Sequence, residues 1–406
     1  MTVVVAIDAG TTGVRSLAVD EHGRIVASSY REFPQYFPRP GWVEHDPDEI
    51  WDATRATLRD VVKAMRASGD TIAAIGVTNQ RETAVVWDRA TGEPRHRAIV
   101  WQDRRTTAAC EALRDAGHLP FVREHTGLVL DPYFSATKLA WLLRDGDVRA
   151  DADLAFGTVD SWILYNLTGG ARRGGVHVTD PSNASRTLLY DIDALAWSPE
   201  LAALFGVPLS CLPEVRPSSG RFGTTGGDDL DGLHVPVSGI AGDQQAALFG
   251  QACFAPGMAK NTYGTGSFVV VNLGPSHPPP ADGLLTSVGW TVDGATTYVL
   301  EGSIFVTGAA IQWLRDGLGI LGDASETGPL AASVADTGGV MFVPAFTGLG
   351  SPYWDPEARG VIIGLTRGSG RAHLARAVVE AMAFQTLDVV ESMQRASGVD
   401  LAELRV

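Results

Sequence analysis

The chain has 406 residues, 45% of them apolar, which is too long for one comfortable hydrophobic core and predicts two globular domains. Lys and Arg total 32 against 47 Asp and Glu, a net charge of -15, so general attraction to nucleic acid or an anionic membrane is excluded and any phosphate site must be local. Cys110, Cys211 and Cys253 form no Cys-x-x-Cys pair, and no apolar run reaches membrane-spanning length, so neither a disulfide framework, a structural zinc site nor membrane insertion is expected; a reducing cytoplasm fits best.

In chain order, Val3, Val4, Val5, Ala6 and Ile7 predict a buried strand that runs into Asp8 and the turn Ala9-Gly10-Thr11-Thr12-Gly13. Strand character resumes over residues 16–19, and Glu21-His22-Gly23 turns the chain into a third strand over residues 24–29, completing an antiparallel meander. Pro34, Pro38 and Pro40 mark residues 33–43 as an ordered loop. Asp46-Pro47-Asp48-Glu49 predicts a helix start, with Asp46 as cap, Pro47 at the first position and Glu49 completing a capping box. Ile50, Thr54, Leu58, Val61, Val62 and Met65 fall on one helical face, and Gly69 stops the helix. A strand over residues 72–77 delivers Thr78-Asn79-Gln80-Arg81-Glu82-Thr83 into a loop. Short strands over residues 84–87 and 99–101 follow, and Asp103 is expected to cap the next helix.

Three meandering strands followed by alternating helices and strands is the order of a ribonuclease-H-like, actin-like half. A dinucleotide-binding unit would place a helix after the glycine turn, where this chain has a strand. Further on, residues 131–141 read as a loop entering a helix, residues 156–167 as strand or helix, and residues 169–175 and 224–232 as glycine-rich connections. Residues 235–240 predict a strand, Ala241-Gly242 a tight turn, and Asp243 the N-cap of a helix. The domain boundary is placed just after it, giving domains of residues 1–250 and 251–406. A strand over residues 258–263, the turn Gly264-Thr265-Gly266 and a strand over residues 267–272 then repeat the opening pattern, either as a duplicated hairpin or as two unrelated ones. A strand near residues 297–301, a helix containing Gln312 and Trp313, a glycine-rich loop over residues 346–350, a helix over residues 371–396 ended by Gly398, and a beginning strand over residues 401–406 complete the chain.

The opening turn can cradle a polyphosphate. Gly10 and Gly13 allow close approach to backbone N–H groups, Thr11 and Thr12 add hydroxyls, Arg15 adds a permanent charge, and Asp8 can hold magnesium. An ordinary glycine hairpin with a surface Arg has the same pattern. Asp243, at a helix N-terminus, can remain ionised and accept a proton from an attacking hydroxyl, or serve only as a structural cap. Arg81 and Glu82 can donate to and accept from a polyol, or form a solvated pair. Trp101 and Tyr133 can supply an apolar wall and a phenolic hydrogen bond, although a lone Trp is also a usual core residue. No His-Glu-x-x-His, Gly-x-Ser-x-Gly or Walker sequence competes, so phosphoryl transfer between two domains is the economical reading.

Five stretches carry a family resemblance: Phe33 with Pro40-Gly41-Trp42-Val43-Glu44-His45-Asp46-Pro47; Thr78-Asn79-Gln80-Arg81-Glu82-Thr83; Asp131-Pro132-Tyr133-Phe134-Ser135; the run from Gly239 to Gly250; and Asn261-Thr262-Tyr263-Gly264-Thr265-Gly266. The whole chain resembles the FGGY carbohydrate kinases, and within them the members that phosphorylate glycerol. The resemblance implies an α/β fold of two actin-like ATPase domains with a cleft between them, the second incomplete, and ATP-dependent phosphorylation of a terminal hydroxyl of glycerol; a kinase for another small polyol or ketose, or an inactive actin-like nucleotide-binding protein, stays open as the alternative. It implies that Arg81, Glu82, Tyr133, Asp243 and Gln244 hold glycerol, that Trp101 and Phe268 line its pocket, and that Asp243 is the base. Thr11, Thr12, Gly13 and Arg15 would face the phosphates of ATP or ADP, Asp8 and Asp243 the Mg2+, and Thr265, Gly308 and Gln312 the nucleotide from the other side. Self-association is left open. Gly13 departs from the serine common in the family, and residues 224–232 do not resemble the basic loop that binds a sugar bisphosphate in some members. Family members also continue beyond Val406 with an Asp-Gly-Gly loop and further adenine-binding residues, so weakened ATP affinity is expected of the 406-residue form.

Overall fold

A computed structural model describes the chain except for residues 227–229 and 356, so part of the 224–232 connection lies outside the described residues. The described residues divide into two compact units. The first comprises Met1–Ala246 with Ser287–Thr297, and the second Ala247–Thr286 with Tyr298–Val406.

In the first unit, β1 (Thr2–Ala9), β2 (Gly13–Asp20) and β3 (Ile25–Glu32) form the expected meander. Alternation sends Val3, Val5, Ile7 and Ala9 of β1 inward and leaves Asp8 on the opposite face. Helix α1 (Pro47–Ser68) covers the inner face with Ile50, Leu58, Val61, Val62 and Met65, and ends at Gly69 in a left-handed conformation. Asp46 caps it by accepting from the Asp48 N–H, but the capping box does not form: the Glu49 carboxylate instead accepts the Tyr36 hydroxyl at 2.9 Å.

Strand β4 (Thr71–Asn79) runs parallel to β1, extending through Thr78 and Asn79, which the sequence assigned to a loop. With β5 (Ser219–Thr224) and β6 (Pro236–Gly242) the sheet has six strands in the order β5-β6-β4-β1-β2-β3. Strand Val85–Asp88 does not join it, pairing instead with Leu154–Gly157. Residues 156–167 resolve into the end of that strand and helix Val159–Leu167. Residues 169–175 contain a short helix, Gly170–Arg173. The Ala241-Gly242 pair is strand rather than tight turn, so β6 passes directly into the helix Asp243–Gly250.

In the second unit, β7 (Met258–Tyr263) and β8 (Ser267–Gly274) form the second hairpin. β9 (Ala295–Ile304) pairs antiparallel with β8, and β10 (Glu403–Arg405) pairs parallel with β7. The order β9-β8-β7-β10 repeats β3-β2-β1-β4 of the first unit, strand direction included, which favours a duplicated motif over two unrelated hairpins. A further strand, Leu285–Val292, most of which belongs to the first unit, has no counterpart in the sequence reading. The long helix Arg371–Ser397 packs Ala375, Val378 and Ala381 with Val306, Leu314 and Phe342. No helix among the described residues is long and apolar enough to cross a membrane.

Candidate active site

Parallel β1, β4 and β6 end side by side. Asp8 pairs in register with Thr78, and Thr78 with Ala241, so Asp8, Arg81-Glu82 and Asp243 all issue from one edge of the first unit's sheet. Arg81 is almost wholly buried at the centre of the group. Its Nε lies 3.3 Å from Asp243 Oδ1 and 3.6 Å from Glu82 Oε1, while its terminal nitrogens donate to Gln245 Oε1 at 3.2 Å and the Tyr133 hydroxyl at 3.3 Å. The Asp243 side chain is 38% exposed, and its Oδ1 also accepts the Gln244 N–H at 2.7 Å. The sequence-predicted Arg81, Glu82, Tyr133, Asp243 and Gln244 are therefore brought together. Asp243 is the first residue of its helix rather than the preceding cap.

Glu82 stands in the left-handed region at φ 61, an uncommon conformation for a residue other than glycine. It is held there from both sides: Ser135 Oγ donates to its carbonyl at 2.9 Å, and Arg186 Nε donates to its carboxylate at 2.7 Å. The bland surface-pair reading of Arg81-Glu82 thus fails, since a buried ion pair needs hydrogen bonds around it and these residues have them.

The first hairpin is tied to the same edge. Trp101 Nε1 donates to Thr11 Oγ1 at 3.0 Å, and the Trp101 ring meets Tyr133 edge-on at 5.6 Å. Behind them runs a neutral relay. Thr83 Oγ1 donates to Gln80 Oε1 at 2.9 Å, Gln80 Nε2 faces His45 Nδ1 at 3.3 Å, His45 Nε2 faces Gln35 Oε1 at 2.8 Å, and Gln35 Nε2 donates to the Thr11 carbonyl at 2.6 Å. Only an imidazole protonated at Nε2 alone satisfies both glutamines, and burial holds His45 down at about 4, in agreement with that neutral form.

Asp8 is raised above the ordinary carboxylate range, first by burial and then by the charge of Asp243, with Arg15 acting in the opposite direction. Thr78, its register neighbour, has a buried Oγ1 with no hydrogen-bond partner. The Asp8 and Asp243 carboxylates, with an unsatisfied hydroxyl beside Asp8, are a hard-oxygen donor set that fits Mg2+ completed by phosphate and water oxygens. Among the described residues there is no group of three or more carboxylate, histidine or cysteine side chains that could hold a metal ion.

Several supporting residues carry no sequence signal. Lys138 of helix Ser135–Arg144 is buried, and its ammonium donates to the carbonyls of Pro132, Tyr133 and Phe134 at 2.7, 2.6 and 3.0 Å. Asp180 accepts from Ser182 Oγ at 2.9 Å and Ser218 Oγ at 2.7 Å; Ser182 Oγ in turn accepts the Gly242 N–H at 2.9 Å, next to Asp243. Asn183 exchanges amide hydrogen bonds with Asn79 at 3.0 and 3.1 Å. The strand ends bearing Arg81 and Asp243 are thereby pinned to one buried segment. Asp103, expected to cap a helix, instead accepts the Val43 N–H at 2.7 Å and pairs with Arg105 at 2.8 Å; Thr106 precedes the helix Thr107–Asp115.

In the second unit, Thr265 lies in the turn of the second hairpin. Its carbonyl accepts the Ala309 N–H at 3.1 Å and the neighbouring Gly264 carbonyl accepts that of Gly308 at 3.0 Å, strapping the turn to the helix Gly308–Gln312. A Cβ on Gly308 would lie 2.4 Å from the Gly264 oxygen, so the close approach requires glycine. Gln312 ends that helix, and Phe268 on β8 pairs in register with Ser303 on β9.

Residues 3–250 match the N-terminal domain, and residues 259–406 the C-terminal domain, of the FGGY family of carbohydrate kinases. The chain is 54% identical over its whole length to a glycerol kinase of Citrifermentans bemidjiense, covering 82% of that protein. It is 52% identical, with the same coverages, to glycerol kinase 2 of Thermotoga maritima. Among solved structures it resembles Plasmodium falciparum glycerol kinase with ADP at TM-score 0.93 and 35% identity, covering 100% of this chain and 82% of that one. A xylulose kinase from Brucella ovis gives 0.87 and 27%, covering 98% and 80%. The gathering of Arg81, Glu82, Tyr133 and Asp243 in the first unit, the repeated sheet order and these matches over both halves lead to one assignment: the chain belongs to the FGGY family of carbohydrate kinases.

Proposed function

We propose that the chain transfers the terminal phosphoryl group of ATP to a primary hydroxyl of glycerol, giving glycerol 3-phosphate and ADP. The observation that carries this is the convergence of Arg81, Glu82, Tyr133 and Asp243 at one sheet edge, in a chain 54% identical to a protein named glycerol kinase. Arg81 and the Tyr133 hydroxyl can donate to the substrate's oxygens and Glu82 can accept from its hydroxyls, a set sized for a short polyol. Gln244, Trp101 and Phe268 complete the glycerol-binding residues.

Asp243 is the base. It takes the proton of the attacking hydroxyl as the new oxygen–phosphorus bond forms and the bond to the ADP oxygen breaks. The Arg81 Nε and Gln244 N–H contacts orient one of its oxygens, leaving the other for that proton. Thr11, Thr12, Gly13 and Arg15 hold the phosphates, while Thr265, Gly308 and Gln312 contact the nucleotide. Asp8 with Asp243 would hold Mg2+, which when bound offsets the negative charge of the phosphates. With Cys110, Cys211 and Cys253 all buried as free thiols, we place the reaction in a reducing cytoplasm.

A substrate panel tests the assignment. Glycerol is expected to exceed 1,3-propanediol, which lacks the middle hydroxyl, by at least about 100-fold in kcat/KM, because a site built for hydroxyls rejects analogues without them. Preference for xylulose or gluconate over glycerol would overturn the substrate and leave the family intact.

A further inference from the structure

Gly13 opens β2 without a side chain, in a hairpin otherwise furnished with hydroxyls. The space beside it is filled. A Cβ at residue 13 would lie 2.5 Å from the Arg31 carbonyl oxygen, 2.7 Å from the Tyr30 hydroxyl and 2.8 Å from the ring carbon that bears it. The phenol of Tyr30 thus enters the volume that a serine there would need.

The strand register explains why. Tyr30 on β3 pairs with Arg15 on β2, and Arg15 with Asp8 on β1, so the three side chains form a row across one sheet face. The Arg15 guanidinium lies 5.4 Å from the centre of the Tyr30 ring. On the other side, the Tyr30 hydroxyl is 3.4 Å from Thr12 Oγ1, at the long end of hydrogen bonding, and the residue is 42% exposed. The hydroxyl therefore stands beside Thr12 and over the glycine, and when Thr12 is the donor in their contact the phenolic proton is available to an oxyanion.

We propose that Tyr30 is a phosphate-binding residue of this chain, its phenolic hydroxyl supplying the hydrogen bond to the nucleotide that Gly13 cannot. The proposal rests on the nucleotide role assigned above to the first hairpin. A purely structural Tyr30 would cover Gly13 with its ring and make no use of its oxygen.

ADP and ATP titrations by calorimetry on the 406-residue chain, comparing the parent with Tyr30→Phe and Arg15→Ala, separate the cases. Tyr30→Phe keeps the ring and removes only the oxygen, so nucleotide affinity is expected to fall by about 5- to 10-fold, as for loss of one solvent-accessible hydrogen bond to an anion. The KM for glycerol and the melting temperature should stay unchanged. If Arg15→Ala weakens nucleotide binding while Tyr30→Phe binds like the parent, the Tyr30 proposal is overturned and the hairpin assignment stands. If Arg15→Ala binds like the parent, the hairpin assignment itself fails, and the Tyr30 proposal with it.

Discussion

Replacing Lys138 with methionine removes an ammonium that holds three successive carbonyls, of Pro132, Tyr133 and Phe134, beside the proposed glycerol site. Methionine fills nearly the same volume, so the loss is electrostatic rather than steric. The Pro132 and Tyr133 carbonyls left unpaired cost about 1–3 kcal/mol each, whereas the Phe134 carbonyl, at the N-cap of helix Ser135–Arg144, keeps its intrahelical bond. Against this, burial lowers Lys138 from 10.5 to about 8, so its ammonium is held at a disadvantage of about 3 kcal/mol that the substitution relieves. The net expectation is a destabilisation centred near about 1 kcal/mol, measured by urea unfolding. The functional consequence falls on Tyr133, whose hydroxyl receives the Arg81 hydrogen bond at 3.3 Å. The KM for glycerol should therefore rise well below the unfolding temperature, by about 10-fold if one substrate hydrogen bond is lost, while the nucleotide KM stays constant. The parent should show a milder form of this effect as pH rises through about 8, because a neutral amine has two N–H groups for three carbonyls; Glu82, Asp103, Asp131 and Cys110 surround it and shift that midpoint together. A Lys138→Met variant with unchanged stability and unchanged glycerol KM would refute the clamp.

Two further substitutions test the frame around the site. His45 is held neutral at about 4 against 6.5 when unfolded, so its contribution to stability is complete above pH 6.5 and is lost as pH falls toward 4, amounting to about 3 kcal/mol. The stability gap between the parent and His45→Asn should accordingly narrow as pH is lowered across that window; a gap independent of pH would contradict the neutral relay. Gly308→Ala places a methyl 2.4 Å from the Gly264 oxygen, so the second hairpin must shift. We expect a loss of about 1–3 kcal/mol in thermal unfolding and a raised nucleotide KM at constant glycerol KM, and an unchanged nucleotide KM would remove Gly308 from the nucleotide site.

Elements written in short-range patterns were legible in the sequence. The hydrophobic run ending at Asp8, the Asp46-Pro47 start with its Gly69 stop, and the opening order of three meandering strands, helix and strand reappear in the fold. Boundaries that depend on distant partners were not. Asp103 looks like a cap because its local spacing is right, but Arg105 and the Val43 N–H compete successfully for its carboxylate. Glu49 is likewise drawn away by the Tyr36 hydroxyl. The candidate site divides in the same way. Arg81, Glu82, Tyr133 and Asp243 sit in recognisable motifs, whereas Lys138 carries no sequence signal, and Asn183 meets Asn79 only because residues 104 apart fold together. Gly13 and Tyr30 are individually unremarkable in sequence and become a unit only through the β2–β3 register.

The most direct test of the account is glycerol-dependent formation of ADP from ATP by the purified chain and its Asp243→Asn variant. The account expects ADP release that requires glycerol, with kcat lowered about 10²- to 10⁴-fold in the variant and a glycerol KM within a few-fold of the parent. ADP release independent of glycerol, or an Asp243→Asn variant with the parent's kcat, would contradict it.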